Sequence, residues 1–577
     1  MLTFAAHALI LASPYSPQPA VETPGVGYPG PGVGYPGPQH AIPTIHFIPT
    51  YVSDRGGWHD VAGAFTHKGV HHIWQGTGWN HAVSHDLVKW STAPHGPKAV
   101  HETYKGMDSE TDPCSGFVTL DKDGDGSVCA GFRQCGSKKG VDGFPHPWDV
   151  PLELRCALDD NLTTWNDAAP EYLFNVSFWR GIPYDPARPW KESDGNWYQL
   201  LSMDGCNATT HKIPCAAGGQ LDMWKSPALR GEDAAWTYVG PVLTTNATVL
   251  ANGFLTKEFV TIDFIGRLPG DPKPDGLGTR LFLNNVGGNG GGEGCCAGTT
   301  SYFVIEQSAP GAVFKEVAPQ GMVDWGAFRL HLPVEPQDGA SAPTGLALLD
   351  GDGSRGLSMA RTLGSDEPDQ VTQPGRRVLI GWTGPNAIGL PPNTGSAQGL
   401  PRELSLAPDR SLLQRFVPEL EKLRVGPAIN AYGRDAWFPR QAGLQVEVRA
   451  QLPASCATTP NAACGVAVLG DALGATTVTL STDLGLVIVD ATSQSNNAVR
   501  AGPLPPARAG AVPWTIHLIA DHSIVEVIVN NATAFVVYAL PATTSAGHVR
   551  LVGVPANATG AVLDAWPLAD AGHVYSS

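Results

Sequence analysis

Charge is scarce in this chain. Only 16% of its 577 residues are charged, and cations are the rarer sign, with 37 Lys and Arg against 53 Asp and Glu. The resulting formal charge of −16 repels phosphate backbones and anionic membrane surfaces. That argues against nucleic acid or membrane partners and suits a neutral substrate such as a sugar. No uninterrupted apolar stretch reaches the roughly 18 residues of a membrane span. None of the ten cysteines sits in a CxxC pair or a Cys/His zinc spacing, so neither a metal site nor a cofactor is expected. Long runs of Ala, Leu, Glu and Lys are missing as well, which removes the material of long helices.

What is abundant is Gly (68) and Pro (50), against a hydrophobic content of 42%. Many turns joining short strands follow from that composition, so an all-β protein is expected. The length exceeds what one hydrophobic core usually organises, which implies two or more domains. The opening MLTFAAHALILASP has an apolar stretch without a basic n-region and reads as an imperfect signal peptide. Residues 22–38 double a GVGYPGP unit, an extended linker rather than a strand. Asn-x-Ser/Thr sequons at Asn161, Asn175, Asn207, Asn246, Asn531 and Asn557, with an even cysteine count, point to a secretory route, extracellular or vacuolar. Cys206 with Cys215 and Cys456 with Cys464 have spacings that can close small disulfide loops.

From Thr44 to about residue 400, short β-prone runs alternate with turn clusters: HHIWQ, SGFVTL, WYQLLS, RLFLNN, YFVIEQ, RRVLIGW. About 350 residues of such strands exceed one simple sandwich, and a propeller of four-stranded blades absorbs them better. LLQRFVPELEKLR (412–424) reads as a helical connector. Beyond it, GLQVEVRAQL, VTLSTDLGLVIV, WTIHLIAD and SIVEVIVNN alternate with period two, a compact antiparallel sandwich of about 150 residues. The expected order is a leader and linker over 1–43, a catalytic domain over 44–405, a connector over 406–430 and a sandwich over 431–577.

Three carboxylates stand in aromatic or Gly-rich settings. Asp60 lies in GGWHDVAGAF, where Trp58 and three glycines can present a carboxylate and a stacking ring to a sugar; capping a turn is the competing role. Glu258 enters the apolar strand LTKEFVTIDF, where burial would raise its pKa as a general acid needs. An outward-facing position in an alternating strand explains it equally well. Asp185 in GIPYDPARPW also fits a plain turn residue. DKDGDG (121–126) opens like a calcium loop, but Phe132 stands at its twelfth position instead of Glu, so a hairpin turn is expected. GGNGGGEG (287–294) precedes no helix or Lys-Ser/Thr and is a turn, not a phosphate loop. His72 and His81 read as braces of aromatic strands, and Ser115 lacks the nucleophile-elbow pattern.

The blocks taken together resemble glycoside hydrolase family 32, the invertase, inulinase and fructosyltransferase family. WHDVAGAF stands where that family has Trp-Met-Asn-Asp-Pro-Asn-Gly-Leu/Phe, and HHIWQ where it has Tyr-His-x-Phe-Tyr-Gln. WNHAVSHDLVKWSTAP is close to Trp-Gly-His-Ala-x-Ser-x-Asp-Leu-Val-His-Trp. SGFVTLDKDG, YDPARPWKESDGNWYQLLS, KEFVTIDF, VDWGAF, RRVLIGW, LPRELSL and DHSIVEVIVNN follow in the family's order, covering roughly residues 44 to 540.

The resemblance implies a five-bladed β-propeller followed by a C-terminal β-sandwich. It also implies release of terminal β-fructofuranosyl units from sucrose or fructans through a covalent fructosyl-enzyme. Asp60 takes the place of the nucleophile, Glu258 of the acid/base and Asp185 of the transition-state stabiliser. Trp58, His59, Gln75, Trp79, Ser115 and Tyr184 fall at substrate-binding positions. The chain departs from the pattern at His59 (family Asn), Val61 (family Pro), Phe259 (family Cys) and Tyr184 (family Arg). With that arginine replaced, Asp185 has Asp204 as a fallback, and Arg180 or Arg188 as candidates for the lost grip. Fructosyl transfer at the same site and a non-catalytic sugar-binding protein on the same scaffold are the alternatives.

Overall fold

A computed structural model describes residues 42–48, 61–75, 79–93, 113–134, 152–166, 171–172, 186–204, 219–244, 261–271, 277–286, 299–326, 328–331, 347–350, 358–365, 375–383, 397–430, 436–437, 444–458, 463–471, 474–494, 499–507, 514–541, 543, 547–554 and 558–574. Almost every regular element among them is a strand, as the Gly- and Pro-rich composition requires. No helix among them is long and apolar enough to cross a membrane.

Among the described residues, the first part of the chain forms five antiparallel meanders. Their leading strands are Val61–His67, Pro113–Leu120, Trp190–Lys191, Thr261–Arg267 and Ser358–Thr362, and each is followed outward by the next three strands of its own sheet in sequence order. Gly364–Ser365 adds to the first sheet, running parallel to Val61–His67. Burial falls from the leading strands outward. Val61–His67 is buried almost throughout, whereas the closing strands Thr237–Thr244 and Lys315–Met322 are largely exposed. The leading strands pack on one another across sheets: Val61–His67 lies against Pro113–Leu120 and Ser358–Thr362, and Ser358–Thr362 lies against Thr261–Arg267.

The remaining strands form an eight-stranded and a six-stranded sheet. Val466, Val478 and Val487 of the former share one core with Val448, Leu518 and Val527 of the latter. The hairpin Phe328–His331 and Ala347–Asp350, which precedes the fifth meander in sequence, joins the edge of the eight-stranded sheet through Arg329 opposite Arg500.

One segment departs from its sequence reading. Residues 412–424 are not one continuous helix; Leu412–Phe416 is the closing strand of the fifth meander, and only Pro418–Leu423 is helical, as a 3-10 helix. The cause is Pro418, whose ring disfavours helical backbone at the preceding residue. Val417 is accordingly extended, with φ −63° and ψ 139°.

DKDGDG is a turn between strands of the second sheet, and its carboxylates reach to the third. Asp121 and Asp125 pair with Arg230, and Asp123 pairs with Lys191 and accepts from the Trp197 indole. Disulfides join Cys129 to Cys156 and Cys456 to Cys464, the second as its spacing suggests. Cys206 and Cys215 lie outside the described residues.

A chain of buried charges ties the two parts together. His46 Nδ1 lies 2.8 Å from Asp521 Oδ2 and Nε2 lies 3.1 Å from Glu526 Oε1. Arg402 Nη2 donates to Glu526 Oε2 (2.8 Å) and Asp324 Oδ2 (3.0 Å). All five side chains are shielded from solvent. Asp521 also accepts the backbone N–H groups of Thr44, Ile45 and His46. Burial alone would strip the His46 proton, but hydrogen bonds donated to two carboxylates raise its pKa to about 9. Burial likewise holds the Asp324 carboxyl above its usual range, despite Arg402 beside it.

Since the His46 pKa is raised from 6.5, its stabilising charge is fully present below that value and is lost as pH rises through about 9. Thermal unfolding measured across roughly pH 6 to 10 is expected to show a falling alkaline limb that His46→Gln lacks. The variant, leaving Asp521 without its cation and Glu526 with Arg402 alone, should also cost about 3–5 kcal/mol near neutral pH.

Candidate active site

Of the positions picked out by sequence, Trp58, His59, Asp60, Tyr184, Asp185 and Glu258 lie outside the described residues, as does Arg180. Gln75 and Trp79 lie within them. Ser115 falls on Pro113–Leu120, and the fallback Asp204 closes Trp197–Asp204. What the structure describes is the scaffold into which each carboxylate-bearing segment runs.

Asp60 directly precedes Val61, the first residue of the innermost strand of the first sheet. Val61 is paired with Gln75, which is buried at the end of Val70–Gln75 and pairs on its other side with Asn80. Trp79 is fully buried, with backbone in the left-handed region at φ 49°. Its ring lies 5.4 Å from Phe132 of the second sheet and 6.1 Å from Trp74. Gly63 makes room for it, because a Cβ there would stand 2.8 Å from Val118 Cγ2 and 3.2 Å from the indole. The indole thus sits in the seam between the first two sheets. Beside it, His72 Nδ1 and His81 Nε2 are 3.0 Å apart and both rings stack with Trp74. Burial, with the neighbouring histidines adding to it, lowers the His72 pKa to about 3. A neutral bracing imidazole is what results, as the sequence suggests.

The strands are tied together next to these positions. Arg361 Nε donates to the Val61 carbonyl at 2.8 Å. The following residue, Thr362, turns to the fourth sheet, where its N–H and its hydroxyl both donate to Asp263 Oδ2 at 2.7 Å. Arg188 completes the group: Nη2 lies 3.3 Å from Thr362 Oγ1 and 3.5 Å from Asp263 Oδ1. The guanidinium crosses Gly364 so closely that any Cβ there would overlap Nη1. Arg188 is therefore engaged with Asp263 and Thr362, and is not a free cation available to grip a sugar. Sequence reasoning missed Arg361, Thr362 and Asp263, since nothing in their spacing distinguishes them from other strand residues. Among the described residues no group of His, Cys, Asp or Glu could hold a metal ion.

No family model and no curated protein matches the sequence. Solved structures do match the fold. Fructan 1-exohydrolase IIa from Cichorium intybus, in complex with 1-kestose, superposes with a TM-score of 0.64 at 16% identity, over 93% of this chain and 99% of its own. A Bombyx mori β-fructofuranosidase variant in complex with sucrose gives 0.62 at 15% identity, over 94% and 96%. This chain has the fold of the family 32 glycoside hydrolases. A fructosyltransferase from A. japonicus shares it too, with a TM-score of 0.64 at 13% identity over 92% and 96%. The resemblance seen in the landmarks therefore extends to the three-dimensional architecture of nearly the whole chain.

Trp79 provides a test of how this region is built. Trp79→Ala should cost about 3–5 kcal/mol by opening a cavity between two sheets. A melting curve close to that of the native protein would disprove the packing role.

Proposed function

We propose that the chain is a retaining glycosidase that releases terminal β-fructofuranosyl units from sucrose or fructans. The observation that carries the reading is the convergence of ties at Val61, Arg188 and Asp263. These residues lie one, three and five positions after Asp60, Asp185 and Glu258, within a fold shared with a β-fructofuranosidase and a fructan exohydrolase. In this reading the five meanders are the blades of a propeller that closes with Leu412–Phe416. The eight- and six-stranded sheets, which share a core, are the faces of a β-sandwich built mainly from the C-terminal strands, with the hairpin Phe328–His331 and Ala347–Asp350 at one edge.

The chemistry divides between two carboxyl groups. The Asp60 carboxylate attacks the anomeric carbon of the fructosyl unit, and the glycosidic C–O bond breaks. Glu258 donates its proton to the leaving oxygen, so that a fructosyl ester of Asp60 and a free alcohol result. Glu258, now ionised, accepts a proton from water, whose oxygen attacks the same carbon and displaces Asp60. Retention follows from the two inversions and requires the carboxyl groups about 5 Å apart. Asp185 holds sugar hydroxyls as positive charge develops. Gln75, Ser115 and the segment carrying Trp58 and His59 border the subsite, while Trp79 shapes it from behind. A sugar alcohol in place of water gives fructosyl transfer, the activity named for the A. japonicus neighbour.

Fructose release from sucrose, inulin and levan by the purified chain tests the proposal. Turnover on at least one is expected, with Asp60→Asn and Glu258→Gln each lowering kcat roughly 10³-fold or more. A folded chain inactive on all three substrates would sink it. Growth of oligosaccharides at high sucrose would assign transfer instead of hydrolysis.

We also propose passage through an oxidising, secretory compartment, supported by the Cys129–Cys156 and Cys456–Cys464 disulfides and by Asn161, exposed in a turn. Protein from its natural source should lose mass on treatment with a glycan-removing amidase. An unchanged mass would argue against that route.

A further inference from the structure

A retaining glycosidase of this kind takes its carboxyl groups from three separate sheets, yet must hold them to within about half an ångström. No stretch of local backbone can do that, so ties across the sheets have to. We propose that Arg361 and Thr362 are positioning residues that set the spacing of Asp60, Asp185 and Glu258. The inference rests on the catalytic reading of those three residues.

Ser358–Thr362 leads the fifth sheet and packs between the leading strands of the first and fourth. Neighbouring residues on a strand point to opposite faces. One two-residue step can therefore reach both sheets. Arg361 reaches the first and holds the Val61 carbonyl, the group directly after Asp60 in the chain. Thr362 reaches the fourth and holds Asp263, five residues after Glu258. The Thr362 hydroxyl donates to Asp263 and accepts from Arg188, three residues after Asp185, so a single oxygen joins the second and third segments. Arg361, Thr362 and Asp263 are each at most 2% exposed. Buried hydrogen bonds to charged groups are short and directional, which gives them the stiffness to fix geometry. A purely structural role would stabilise the fold without affecting turnover by folded molecules.

The experiment is steady-state kinetics on the full chain, with melting curves and titration of active sites. Thr362→Val removes only the hydroxyl and keeps the shape and the N–H bond to Asp263. It is expected to lower kcat about 10- to 100-fold, the cost of a misplacement near 1 Å, with KM changed less than about threefold. Thr362→Ser should restore kcat to within about threefold of native. Arg361→Met should act as Thr362→Val does, and Arg361→Lys should recover part of the loss. Native kcat per active site in both Thr362→Val and Arg361→Met, whatever their melting temperatures, overturns the inference. Should Thr362→Val fail to fold, the Arg361 pair alone decides between the same two outcomes. A native chain inactive on every fructoside overturns the catalytic reading and this inference with it. An active native chain, silenced by Asp60→Asn yet indifferent to changes at 361 and 362, overturns the inference alone.

Discussion

The buried ion chain from His46 to Asp324 is the constraint on which the rest of the architecture depends. Burying five ionisable groups is costly unless each is answered by an opposite charge and its remaining polar atoms are hydrogen-bonded. Here both imidazole nitrogens face carboxylates, and Asp324 accepts the N–H groups of Gly326 and Val536 as well as Arg402. Glu526 receives the Leu400 N–H, and Arg402 also donates to Gln414. The participants come from the segment before the first meander, from the fifth meander, from the stretch after the fourth and from the six-stranded sheet. The ion chain acts as a clasp that joins the segment before the first meander to the fifth meander through the six-stranded sheet. The surrounding apolar cluster follows the same path, joining Ile45 and Ile73 to Ile380 and Phe416 through Ile519 and Ile528 of the C-terminal sheet. The C-terminal sheets therefore help to close the first part of the molecule.

Much of the fold was legible in the sequence because strands leave a local signature. HHIWQ, WYQLLS, RLFLNN, RRVLIGW and WTIHLIAD all fall on strands. The segment 412–424 departs from that pattern. Leu412, Gln414 and Phe416 alternate as a strand should, but five residues are too few to outweigh the helix-like PELEKLR that follows. The burial of Gln414 in the ion chain, which settles the matter, is a tertiary fact.

The landmarks that suggested a family have two separate origins. Those of the first half surround the candidate carboxylates. Those of the second half do not: VDWGAF contributes Asp324, LPRELSL contributes Arg402, and DHSIVEVIVNN contributes Asp521 and Glu526. These meet in the clasp. Removing one partner of a buried charge set leaves the others uncompensated, which makes such positions hard to change singly. Their pattern is therefore readable in a chain that is at most 16% identical to the solved structures compared above. The candidate site was legible only as carboxylates in suggestive settings. Its supporting shell was not, because Arg361, Thr362 and Asp263 act across sheets at sequence separations of about 100 to 300 residues, and no local pattern records such a contact.

The departures at Val61 and Tyr184 can be weighed in the same physical terms. At Val61 the resemblance calls for proline, which has no N–H to donate, although its carbonyl can still accept a hydrogen bond. Val61 opens a buried strand opposite Gln75, and the bond it makes to Arg361 is through its carbonyl. The exchange leaves that hydrogen bond possible, because the backbone, not the side chain, accepts it. The replacement of arginine by Tyr184 is different in kind, since a guanidinium offers a charge and a fork of donors that a phenol lacks. Arg188 does not restore them, because its guanidinium is turned to Thr362 and Asp263. On the proposed function, the ties beside the carboxylate-bearing segments are thus in place while the grip on sugar hydroxyls is altered. In that reading a change confined to the grip alters which fructoside binds and in what pose, and the two-carboxylate chemistry of bond cleavage needs no arginine at that position.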